Sequence, residues 1–87
     1  MAKPSTGTEI PALAALQAAY DEVLPEAKRE LQLSDELIEL GIGSIAALEI
    51  AASLQVRLGV EIADSDLFEL RTVADFAALV DRRKPLA

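Results

Sequence analysis

At 87 residues the chain is long enough for one small domain and too short for two independent cores; it is 52% hydrophobic, yet Tyr20, Phe68 and Phe76 are its only aromatic residues, so small aliphatic side chains must fill the interior. Fifteen acidic residues against eight basic ones leave a net charge of -7, which repels nucleic acid and anionic lipid and suits a basic partner. Cysteine and histidine are both absent, which excludes disulfides, Cys or His zinc sites, thiol nucleophiles and any triad built on an imidazole base.

Residues 1–8 are polar and aperiodic and read as a disordered lead-in, unlike a signal peptide. No apolar run is long enough for a membrane span, so the expected address is cytoplasmic. The domain is expected over residues 9–84, with 85–87 a short tail. From Ile10, apolar residues at Leu13, Leu16, Tyr20, Val23 and Leu24 predict an amphipathic helix, with Pro11 in its first turn and Pro25 ending it. The next segment, 26–43, mixes helix formers with Ser, Asp and Gly. It reads as a long structured loop with helical turns, pinned to the bundle by Leu33, Leu37, Ile38 and Leu40.

Gly41 and Gly43 then break the chain, and Ser44 opens a run of helix formers to Leu58, with Gly59 placed to stop it. On this central helix Ala47, Ile50, Ala51, Leu54 and Leu58 form one stripe at the spacing of a buried face. Ile45, Glu49, Ala52 and Val56 form a second stripe roughly opposite, and only one of the two can face the core. After the connection Val60, Glu61, Ile62, either Asp64 or Ser65 is expected to cap a short helix running to Glu69. Thr72 followed by Asp75 resembles a capping pair; Val73, Phe76, Ala77 and Val80 then predict a last helix ending in Asp81, Arg82, Arg83 and Lys84. Strand-like alternation and internal repeats are absent. The predicted fold is therefore all-α, a small bundle of three main helices plus one short helix.

Charge is unevenly spread: residues 35–69 hold eight acids against Arg57 alone, equal to the whole excess. Inside that stretch lies Leu40-Gly41-Ile42-Gly43-Ser44-Ile45, a glycine-relieved turn that delivers a serine to the start of a helix. Taken alone, such a serine is most simply a cap. It is not a hydrolase nucleophile, because no His can serve as base and Ile42 stands where Gly-x-Ser-x-Gly needs its first glycine. A hydroxyl at a helix N-terminus is nevertheless a good substrate for another enzyme, since backbone N–H groups and the helix dipole stabilise a phosphate attached there. No metal site is expected: Asp64-x-Asp66 with Glu69 lacks the oxygen ligand that an EF-hand loop needs at Phe68, and the glycine after it.

These residues resemble the acyl and peptidyl carrier proteins, whose signature is Leu-Gly-x-Asp-Ser-Leu followed by an acidic helix; here it reads Leu40-Gly41-Ile42-Gly43-Ser44-Ile45-Ala46-Ala47-Leu48-Glu49-Ile50. The likeness continues through Leu58-Gly59-Val60-Glu61-Ile62, Asp64 and Leu70-Arg71-Thr72-Val73, and covers nearly the whole domain. It implies that a phosphopantetheinyl transferase moves 4'-phosphopantetheine from coenzyme A onto Ser44. The arm's thiol then carries acyl or aminoacyl intermediates, loaded by a ligase or transferase and consumed by downstream synthase enzymes of fatty-acid, polyketide or nonribosomal-peptide type. The chain itself would catalyse nothing, and would work as a monomer without nucleic acid or membrane. One departure stands out: the position before the serine is commonly Asp and here is Gly43. Matching positions in the family contact partner enzymes, which makes Ile45, Ala46, Glu49, Ala52 and Val56 the expected docking face. A structural reading of the same stripe has Ile45 and Val56 packing against the long loop or the short helix. From a different class, an unmodified acidic helical adaptor would bind a basic protein through the Glu49 side. The opening Met and the end shortly after the last helix favour a free-standing protein. The cargo itself is not written in the residues.

Overall fold

The computed structural model describes residues 11–82. The expected lead-in 1–8, the tail 85–87, and the contributions of Ile10, Arg83 and Lys84 to helix ends lie outside the described residues. Three α-helices form the frame: α1 (Pro11–Val23), α2 (Ser44–Leu58) and α3 (Val73–Arg82). A 3-10 helix, Asp64–Glu69, sits between α2 and α3, and a single 3-10 turn, Ile38–Leu40, interrupts the loop from α1 to α2. Among the described residues there is no strand, only one isolated antiparallel bridge between Glu36 and Thr72. The all-α bundle expected from the sequence is the observed fold.

Each helix stops where its residues stop it. α1 ends at Val23, ahead of Leu24, whose helical conformation the ring of Pro25 disfavours. α2 ends at Gly59, which takes the left-handed conformation (φ 66°, ψ 33°) and donates its N–H to the Gln55 carbonyl at 2.9 Å. α1 packs against both α2 and α3, and the 3-10 helix packs on α2. The shared core is Leu16, Ala19 and Tyr20 from α1, Ile50, Ala51 and Leu54 from α2, and Val73, Phe76 and Val80 from α3. Tyr20 is buried whole because its hydroxyl donates to the Leu40 carbonyl at 3.3 Å, so its polar end is satisfied inside.

The long loop is tied down by polar strapping as much as by apolar contact. Gln17 on α1 accepts from the Leu31 N–H (2.7 Å) and donates to the Arg29 carbonyl (2.9 Å), standing in for a strand partner. Asp35 accepts from the Gln32 N–H and from Arg29. Farther along, the loop crosses the start of α3: the Leu33 and Asp35 carbonyls accept from Ala74 and Val73, and Leu37 N–H donates to the Arg71 carbonyl, each at 2.9 Å.

Four expectations need correction. Leu37 and Leu40 do pin the loop, joined by Leu31 and Ile42, but Leu33 lies at the surface and Ile38 is 80% exposed. The 3-10 turn at Ile38–Leu40 accounts for Ile38: successive residues of a three-per-turn helix point about 120° apart, so Leu37 and Leu40 share the inner side and Ile38 does not. Leu58, assigned to the buried stripe of α2, is only half-buried, being the last residue of the helix. Neither Asp64 nor Ser65 caps the 3-10 helix; Ala63 occupies that position, and Asp66 reaches back to accept from its N–H at 3.0 Å.

Candidate functional site

Ser44 is placed by the loop that precedes it. Leu40 and Ile42 are buried on either side of Gly41, which turns the chain at φ 80° and donates to the Ile38 carbonyl. Ile42 N–H donates to the Leu37 carbonyl at 3.0 Å, fixing the approach to α2. Gly43, in extended conformation, is the N-cap, and Ser44 is the first helical residue. Gly43, which has no side chain, holds the cap position, and among the described residues the Ser44 hydroxyl has no hydrogen-bond partner. Ser44 therefore does not stand where a structural cap would.

The two long helices that follow the loop begin differently. At α3 every early amide has an acceptor: Thr72 and Arg71 N–H donate to Asp75 Oδ2 (3.2 and 3.1 Å), Asp75 N–H to Thr72 Oγ1 (3.1 Å), Phe76 N–H to the Thr72 carbonyl, and Val73 and Ala74 N–H to the loop. The capping pair expected at Thr72 and Asp75 is present. These donors hold the Asp75 carboxyl below its ordinary pKa, the Arg71 amide first and that of Thr72 next. At α2 only Ala47 N–H finds a carbonyl, that of Gly43 at 2.8 Å; among the described residues the amides of Ser44, Ile45 and Ala46 have no acceptor. Three open N–H groups and the positive end of a 15-residue helix thus surround an exposed, unbonded hydroxyl.

A groove of about 480 Å³ opens beside Ser44, between the head of α2, the 3-10 helix and the loop. Its walls are largely apolar, with Ile42, Ala47 and Leu67 at the base and Ile38, Leu48 and Phe68 higher up; Glu36, Asp64 and Arg71 also line it. Ile38 and Phe68, 80% and 79% exposed, are the most solvent-facing apolar side chains of its walls. Phe68 was missed from the sequence because Leu67 beside it takes the inward position, which only the placement of the 3-10 helix reveals. Arg71 was missed because it lies outside the motif and comes to the groove through the loop's crossing of α3.

The proposed docking residues divide. Ile45 (73% exposed) and Val56 (86%) stand in solvent with Glu49 and Ala52 between them, so the second stripe of α2 is a free face and does not pack on the loop or the short helix. Ala46 is half-buried against the core and offers that face little area. Away from the site, Ser53 donates to Glu22 Oε1 at 2.8 Å and Arg57 bonds to both, a latch between α1 and α2 that lowers the Glu22 pKa, through Ser53 first and Arg57 second.

Among the described residues no carboxylate or amine bonds to the Ser44 hydroxyl. The described residues thus place an unbonded serine hydroxyl at an open helix head, beside an apolar groove. Residues 14–80 match the family described as phosphopantetheine attachment site, and the chain belongs to it, the family of acyl and peptidyl carrier proteins. Members carry a covalently attached 4'-phosphopantetheine group. A search of curated proteins returns no match.

The site fits such a group. A phosphodiester on Ser44 Oγ would find its oxygens beside the open amides of α2, and the hydroxyl gives up no internal bond when it is substituted. An arm attached at Ser44 would have the apolar groove beside it.

Proposed function

We propose that residues 9–84 form one carrier unit whose attachment point is Ser44, and that it presents thioester-bound acyl or aminoacyl intermediates to enzymes of a fatty-acid, polyketide or nonribosomal-peptide type pathway in the cytoplasm. The observation that carries this reading is the exposed Ser44 hydroxyl, unbonded among the described residues, inside a family match over residues 14–80. When bound, the arm supplies a thiol on which the cargo is held. The chain's own part is to offer the oxygen, bind the phosphate charge with the amides of Ser44, Ile45 and Ala46, and leave removal of the Ser44 proton to the transferase, because among the described residues no base bonds to it.

Ile45, Glu49, Ala52 and Val56, with a minor share from Ala46, form the face offered to partners: the phosphopantetheinyl transferase, a loading ligase or transferase, and the downstream synthase enzymes. One charge among small and branched apolar groups suits brief encounters with a basic partner, as a shuttle requires.

Intact mass after co-expression with a broad-specificity phosphopantetheinyl transferase tests the attachment point. The wild-type chain gains one arm, and Ser44→Ala gains none while keeping its melting temperature. An equal gain in the variant moves the attachment elsewhere; no gain with several transferases favours the unmodified adaptor instead.

A further inference from the structure

We propose that Arg71 is an anion-positioning residue of the groove beside Ser44. Its guanidinium holds a negatively charged oxygen group at the groove mouth, supplied either by the phosphodiester of the arm or by a carboxylate on the cargo. The inference rests on Ser44 carrying the arm.

Among the described residues Arg71 is the single basic one lining the groove. Within a region whose charge is overwhelmingly negative, a guanidinium is expected to pair with a carboxylate. Arg29 and Arg57 do so, with Asp35 at 3.2 Å and Glu22 at 3.0 Å, whereas Arg71 and Arg82 make no ion pair among the described residues. Arg71 shares its groove with Glu36 and Asp64, yet among the described residues it has no carboxylate within ion-pair distance. Asp75, four residues on, is engaged by the backbone amides of Arg71 and Thr72 in the cap of α3, and attracts the guanidinium only at longer range. The donor fork therefore stays available to a ligand.

Arg71 is also held from behind. Its N–H donates to Asp75 Oδ2 at 3.1 Å and its carbonyl accepts from Leu37 N–H at 2.9 Å, so its backbone is clamped between the α3 cap and the loop. A side chain launched from a fixed backbone loses less freedom when it binds. The planar guanidinium matches the two oxygens of a carboxylate or phosphodiester. Glu36 and Asp64 repel the same anion, so attraction on one side and repulsion on the others give it a single preferred seat.

The test compares the full chain as wild type, Arg71→Lys and Arg71→Gln, each loaded and checked by intact mass. In the first arm, the amide resonances of Ser44, Ile45 and Ala46 are recorded before and after loading, and the phosphorus resonance of the phosphodiester is compared among the three loaded proteins. In the second, hydrolysis of a malonyl thioester is compared with that of an acetyl thioester on the same three proteins. If the phosphodiester is the anion, Arg71→Gln changes the loading-induced shifts and the two thioesters behave alike. If the cargo carboxylate is the anion, the shifts match wild type, while Arg71→Gln speeds loss of malonyl about two- to fivefold and leaves acetyl unchanged, the factor expected of a solvent-exposed charge contact. Arg71→Lys falls between the other two in either case, keeping the charge and losing the fork. Complete loading with all three proteins identical in both arms overturns the inference alone; absence of any mass gain overturns the carrier reading, and the inference falls with it.

Discussion

Leu54 has no exposed surface, and its neighbours on the same face of α2, Ala47 and Ala51, are too small to swing into a vacated volume. Leu54→Ala is expected to lower stability by about 2–5 kcal/mol, read from the denaturant midpoint at constant slope; an unchanged midpoint would contradict the packing. Gly43 predicts the opposite sign. Its backbone is extended at φ -85° and a Cβ there meets open space, so a carboxylate fits as a cap for the amides of Ile45 and Ala46. Gly43→Asp should raise stability by a few tenths of a kcal/mol, measured the same way. The sequence reveals that a serine opens this helix, but not that it stands one place inside the cap. That distinction depends on the backbone angles of Gly43, which residue type alone does not decide.

Among the elements, α3 depends most on its beginning. Thr72→Ala removes the acceptor for the Asp75 amide and is expected to cost about 1 kcal/mol. Asp75 adds a pH dependence. Its folded pKa lies below the ordinary 3.8 because the charged form accepts from Arg71 and Thr72, so its contribution is fully present above that value and is lost as pH falls through the lower folded one. Glu22 acts in the same direction below its ordinary 4.5, through Ser53 and Arg57. Acid titration of stability should therefore decline from about pH 4 downward, and Asp75→Asn should flatten that decline; a variant with an unaltered acid limb would remove Asp75 from the account. The Thr72 and Asp75 pair was legible because it is local, three residues apart. The loop carbonyls of Leu33 and Asp35 that complete the same cap come from nearly 40 residues away, and nothing in local spacing announces them.

For the whole molecule, helix order and the buried stripe could be read from periodicity, since Ile50, Leu54, Val73 and Phe76 follow it closely. The groove could not, because it is assembled from three segments, each of which looks ordinary alone. The free face of α2, with Glu49 as its one charge, predicts that Glu49→Lys impairs partner reactions while leaving stability within about 0.5 kcal/mol, as a surface substitution does. Parallel loss of loading and of melting temperature would make Glu49 structural. The independence of Ser44 Oγ from the internal bonding of the fold has one more consequence. Adding or stripping a group there disturbs no contact on which the bundle relies, so the blank and the decorated protein should share one backbone. Enzymes that must tell the two apart would then have to sense the appendage itself, and the same molecule could be emptied and refilled over many rounds without wear.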